Sequence, residues 1–169
     1  MKKTIILRLT AAIAAALISV SCLTGCGKKK RVTSQTDQTT FGIDVARYQG
    51  TIDWKKVAQS GIDFAIIRVG YRGKTDGIIK EDPNGRYNLQ EASKAGIKIG
   101  AYFFSTAVSE AEAEEEAEWM GRVLAQYPIT YPVVYDCEGF QETDSRQYEM
   151  SKQERTDAAM AFLASIERL

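Results

Sequence analysis

The chain has 169 residues, with 22 basic and 22 acidic side chains and no histidine. A chain without histidine has no Ser-His-Asp or Cys-His nucleophile system and no histidine metal site, so acid–base chemistry falls to carboxylates. The neutral total hides a split: residues 1–40 hold seven Lys/Arg and one Asp, leaving fifteen basic and twenty-one acidic residues in 41–169. So acidic a domain is a poor binder of nucleic acid.

In chain order, the first segment is a targeting leader. Lys2 and Lys3 precede an apolar stretch from Ile5 to Val20, then small residues lead to Cys22 and Cys26. The stretch is too short, and too soon followed by charge, for a comfortable membrane span. Leu23-Thr24-Gly25-Cys26 resembles the lipobox of bacterial lipoproteins, which implies cleavage before a lipidated Cys26 and a membrane anchor facing the cell wall. An ordinary cleaved signal peptide (a secreted protein) and an uncleaved anchor stay open, and all three readings export the protein. Residues 27–40 read as a polar tether. Lys28 to Arg31 and the Ser/Thr/Gln/Asp run after them lack apolar periodicity. The basic cluster adds attraction to an anionic bilayer.

From Phe41 the sequence alternates strand and helix. Phe41–Val45 is a short strand, Asp53 caps a helix running to Gly61, and Phe64–Gly70 is a second strand. Asn88 and Glu91 form a capping-box pattern for a helix ending at Gly96, and Ile97–Phe104 is a third strand. Ser109 and Glu112 box the next helix, with Ala113, Ala117, Met120 and Leu124 inward and Glu110, Glu114, Glu115 and Glu118 in solvent. Val133–Cys137 is the fourth strand. Ser151 and Glu154 box a last helix with Ala159, Phe162, Ile166 and Leu169 inward.

Four βα units imply an α/β fold with a parallel sheet and right-handed crossovers, in a barrel or a doubly wound arrangement. No glycine-rich phosphate loop follows the first strand, as a dinucleotide fold requires. Asp44 ends the first strand and Asp136 ends the fourth, with Glu138 just beyond. Acidic residues on two strand ends fit the rim of a barrel. A complete eight-stranded barrel takes about 250 residues. The expected fold is therefore a parallel (β/α) barrel, incomplete in this chain, whether as a fragment or naturally.

The most informative segment is Val133-Val134-Tyr135-Asp136-Cys137-Glu138-Gly139. Strand side chains alternate faces, so Asp136 and Glu138 point the same way where the strand runs out. Such a pair suits acid–base work on a sugar, because one ionised carboxylate raises the pKa of its neighbour. Cys137 falls on the opposite face and reads as a small buried residue, with no disulfide possible inside the domain. Arg68 is a cation in an apolar strand and needs an anionic partner, which the carboxylate rim can supply. Tyr102 and Phe104 share a strand face and read either as core or as stacking platforms for sugar. Tyr71 and Gln49 follow strand ends and are candidate substrate contacts by position.

Gly42-Ile43-Asp44-Val45-Ala46-Arg47-Tyr48-Gln49-Gly50 with Ile52-Asp53-Trp54 resembles the opening of glycoside hydrolase family 25, the Chalaropsis-type lysozymes. So do Phe64 to Tyr71, Asn88 with Ala95 to Phe104, and Asp136-Cys137-Glu138, in order and at natural spacing. The resemblance implies a barrel of modified TIM type and cleavage of the β-1,4 bond between N-acetylmuramic acid and N-acetylglucosamine in peptidoglycan; no cofactor or metal is expected. It implies Glu138 as general acid/base, Asp136 as its orienting partner and Asp44 on the same rim. It also implies a retaining reaction in which the substrate's acetamido oxygen attacks the anomeric carbon, outside the usual two-carboxylate scheme. Ala46 departs from the family's usual serine, and the family's further aspartate near the barrel's end has no counterpart here. Those departures leave a second reading, a wall-binding lipoprotein that holds glycan without cutting it. A metal-dependent deacetylase, a third, is disfavoured by the missing histidines.

Overall fold

The structure, a computed structural model, describes residues 40–169. The expected leader, the lipidation site Cys26 and the tether up to residue 39 lie outside the described residues. The strands are β1 (Gly42–Val45), β2 (Phe64–Arg72), β3 (Ile79–Glu81), β4 (Lys98–Phe104) and β5 (Ile129–Asp136). The helices are α1 (Trp54–Gln59), α2 (Gly85–Lys94), α3 (Glu110–Leu124) and α4 (Lys152–Glu167), with single 3-10 turns at Arg47–Gln49 and Gly139–Gln141.

Local chemistry sets most boundaries. The Asp53 carboxylate accepts from Lys56 N–H at 3.2 Å and starts α1. Ser151 and Glu154 close a full capping box on α4, at 3.2 and 2.7 Å. Gly96, at φ +80°, ends α2 in the left-handed region and turns the chain into β4.

Several features differ from expectation. Helix α2 begins at Gly85, a turn before Asn88, because Asp82 organises the turn there. Gly85 N–H donates to the Asp82 carbonyl at 2.9 Å and Asn84 N–H to its carboxylate at 2.9 Å. Asn88 is no cap; it is buried and accepts from Trp54 Nε1–H at 3.1 Å. Strand β5 starts at Ile129, ahead of Val133. The exposed Pro132, which has no N–H to give, falls at a register shift opposite Ile99–Ala101, so pairing resumes beyond it. In α4 the buried positions are Ala158, Phe162 and Ser165, with Ala159 half-buried and Leu169 72% exposed. The unforeseen strand is β3, antiparallel to the end of β2.

The parallel strands run in the order β1-β2-β4-β5. Each follows its predecessor on the same side, with no reversal of order, which is the winding of a barrel and not of a doubly wound sheet. β4 covers one edge of β2, while β1 and then β3 share the other. Among the described residues the sheet does not close on itself. One face meets the helices: Ala65, Ile67, Ile99, Ala101 and Phe103 pack with Leu89, Met120 and Phe162 in a continuous buried core. Complete burial of a side chain such as Phe103 stabilises by about 1.5–3 kcal/mol. The opposite face is left to the cleft.

Candidate active site

Alternation along β5 builds the cleft. Tyr135 faces the helices, its ring 5.0 Å from that of Phe162, so Val134 and Asp136 face away from them. The strand stops at Asp136, and Glu138 leads into the 3-10 turn. That turn packs closely: a Cβ on Gly139 would lie 2.8 Å from Ser145 Oγ. The cleft has a volume of about 890 Å³, and Asp44, Asp136 and Glu138 all line it. Carboxylates from the ends of β1 and β5 therefore share one space.

The group whose pKa this arrangement raises is Asp136, to about 6. Burial is the largest cause, followed by the Glu138 charge and its hydrogen bond; Arg68 pulls the other way, and Asp44 adds to the rise. Partial burial at the strand end and the neighbouring carboxylate favour the protonated form of Asp136.

Arg68 lines the cleft, but its direct partner is not on the rim. Its Nε–H donates to Asp82 at 2.7 Å, and Nη2 lies 2.7 Å from the same oxygen without a well-aligned bond of its own. Asp82 is fully buried and also accepts from Arg47 N–H at 3.1 Å, tying the β1 turn to β2. Asp136 feels Arg68 through space. Asp82 escaped the sequence reading because nothing local in Glu81-Asp82-Pro83-Asn84-Gly85 distinguishes it from ordinary turn chemistry.

Tyr71, Tyr102 and Phe104 line the cleft. Burial pushes the Tyr102 hydroxyl up to about 12, so it stays protonated. Gln49 does not line it: its side-chain oxygen accepts from Ala46 N–H at 2.8 Å and braces the 3-10 turn. Cys137 is half-buried, not fully buried, with its thiol 3.7 Å from Gln147 Oε1 and its pKa raised by burial. Seven further lining residues were not anticipated as site residues, among them the basic Arg47, Arg72 and Lys74 and the aromatic Tyr48. Lys74 pairs with Glu142 and, at 2.8 Å, with Asp144, joining the loops that follow β2 and β5. Among the described residues no group of three or more Cys, Asp or Glu side chains is arranged to hold a metal ion.

Residues 43–169 match the family model for glycosyl hydrolases family 25. Lysozyme M1 of Streptomyces globisporus is 35% identical over 82 residues, which are 48% of this chain and 26% of that protein. The uncharacterized protein YegX of Escherichia coli K12 is 36% identical over 72 residues, 42% of this chain and 26% of that one. Among solved structures, the bacterial lysozyme of Streptomyces coelicolor superposes with a TM-score of 0.58 at 26% identity, over 78% of this chain and 59% of that one. The modular autolysin LytC of Streptococcus pneumoniae gives a TM-score of 0.68 at 25% identity, over 80% and 31%. The chain thus spans about a quarter of the length of the curated relatives it matches. With the family match running from its first strand through Leu169, the chain belongs to glycosyl hydrolase family 25.

Proposed function

We propose that the protein is a peptidoglycan hydrolase that cleaves the β-1,4 bond between N-acetylmuramic acid and N-acetylglucosamine. The observation that carries this reading is the Asp136 and Glu138 carboxyl pair lining an open cleft at the strand ends, together with Asp44. Family membership and the likeness to Lysozyme M1 support it.

In this mechanism the pair holds one proton between two carboxyls, titrating as a unit. Glu138, the exposed member, delivers it to the glycosidic oxygen as the bond to the anomeric carbon breaks. The acetamido oxygen of the same sugar closes on that carbon from the other face. Glu138, now ionised, takes a proton from the water that reopens the ring and restores the starting state. Asp136 orients the acetamido group and Asp44 lines the rim. Tyr102 and Phe104 offer apolar faces to the sugar, while Arg68 and Tyr71 border it. The enzyme works outside the cytoplasm, tethered through a lipid on Cys26 with its domain toward the wall. Cys26→Ala should move the protein out of the membrane fraction or block its processing; unchanged mass and fractionation would exclude lipidation.

The bond itself is tested by digesting peptidoglycan and reducing the new ends with borohydride. Reduced N-acetylmuramic acid is expected. Reduced N-acetylglucosamine would overturn the bond assignment, and binding without new ends would favour the non-cutting reading.

A further inference from the structure

Four basic side chains line the cleft, and three of them are neutralised. Arg68 is paired with Asp82, Arg72 with Glu115 and Glu116, and Lys74 with Glu142 and Asp144. Arg47 is the exception: among the described ion pairs none involves it. Its guanidinium carbon lies 5.0 Å from the Tyr48 ring centre and 5.4 Å from that of Tyr71. Nη1–H donates to the Tyr71 hydroxyl at 3.3 Å and Nη2–H to the Tyr48 hydroxyl at 3.4 Å. Arg68 also sits at 5.0 and 5.4 Å from the same two rings, and the Arg47 backbone N–H donates to Asp82.

Two tyrosine hydroxyls and two ring faces contact this guanidinium without cancelling its charge. A planar fork so held is suited to a carboxylate, and less entropy is lost on contact than for a free side chain. The rim also needs such a cation. Asp44, Asp136 and Glu138 give the cleft an acidic wall, which repels any anionic substrate that finds no compensating charge.

We infer that Arg47 is a specificity-determining residue that binds a carboxylate carried on the muramic acid unit of the glycan. The inference rests on the peptidoglycan reading above and names the chemical feature of the substrate that the site selects. Two carboxylates share this chemistry: the free lactyl acid of a strand stripped of peptide, and the acids of the stem peptide. Either distinguishes peptidoglycan from a neutral polymer of N-acetylglucosamine.

The test is equilibrium binding by the full chain, as wild type, Arg47→Ala and Arg47→Lys. The probes are peptide-bearing glycan strands, peptide-stripped strands and neutral chitin oligosaccharides. Arg47→Ala should weaken a carboxylate-bearing strand about 10-fold more than it weakens chitin oligosaccharide, as for loss of a charge-assisted hydrogen bond. It should also flatten the salt dependence of that binding, and Arg47→Lys should recover part of the loss. Whichever strand type loses more identifies the lactyl or the peptide acid. Equal losses on charged and neutral glycans, no loss on either, or no binding by the wild type would overturn the inference. Failure of the hydrolytic reading looks different: the wild type binds and no new reducing ends appear, while the Arg47 contrast persists.

Discussion

Asp136 carries two burdens, partial burial at a strand end and a carboxylate neighbour, and both favour its protonated form. Its pKa rises from 3.8 to about 6 in the fold, so between those values the folded state binds the proton more firmly than the unfolded chain does. That preference favours the fold at pH 4 and below, and is lost as pH rises through about 6. Asp136→Asn removes the titration. It should therefore raise the urea midpoint at pH 7.5 relative to wild type, with a much smaller gain at pH 4, while lowering hydrolysis at both. A variant no more stable at pH 7.5 than at pH 4, relative to wild type, would contradict the assignment. The D-x-E pair was legible because strand alternation is a local rule. The rise at Asp136 was not, because desolvation depends on how the whole cleft packs.

At the scale of elements, Arg72 is the junction between sheet, hairpin and helix. Its Nε–H donates to Glu116 at 2.7 Å, Nη1–H to the Gly77 carbonyl at 2.7 Å, and Nη2–H to the Glu112 carbonyl at 3.0 Å and Glu115 at 2.7 Å. Arg146, from the loop after β5, forks onto the Glu112 carboxylate at 2.7 and 2.8 Å, so the same helix turn also steadies the segment beyond Glu138. Glu116 is fully buried, and burial raises its pKa to about 7. Arg72→Met leaves that carboxylate without its partner and should cost about 3–5 kcal/mol at pH 8. The cost should shrink toward pH 6, where Glu116 takes up a proton; a cost that does not vary with pH would contradict this. Glu115→Ala should cost less than ~1 kcal/mol, since Glu115 is exposed and its pairing is screened. The sequence showed α3 through its period and its cap but not Glu116, one buried acid in a run of solvated ones. It missed β3 because Ile79-Lys80-Glu81 is too short to display a period, and it misplaced the start of α2 because the Trp54 contact claims the Asn88 side chain.

At the scale of the molecule, the order β1-β2-β4-β5 was legible from alternating elements and the absent phosphate loop, whereas the contacts that fix loops to one another were not. Among the described residues β1 and β5 each pair along one side only, and Val134, Met160 and Leu163 are exposed apolar side chains. Unpaired edges and uncovered apolar surface favour association. The 169-residue chain should accordingly self-associate with rising concentration in analytical ultracentrifugation; a monomer at every concentration would contradict that. The central claim, that the Asp136–Glu138 pair supplies the proton for glycoside cleavage, has a more direct test. Glu138→Gln preserves shape and removes the carboxyl that delivers the proton, so the initial rate of new N-acetylmuramic acid ends from peptidoglycan should fall about 10²-fold or more while glycan binding persists. A Glu138→Gln variant that cleaves at the wild-type rate would contradict the account.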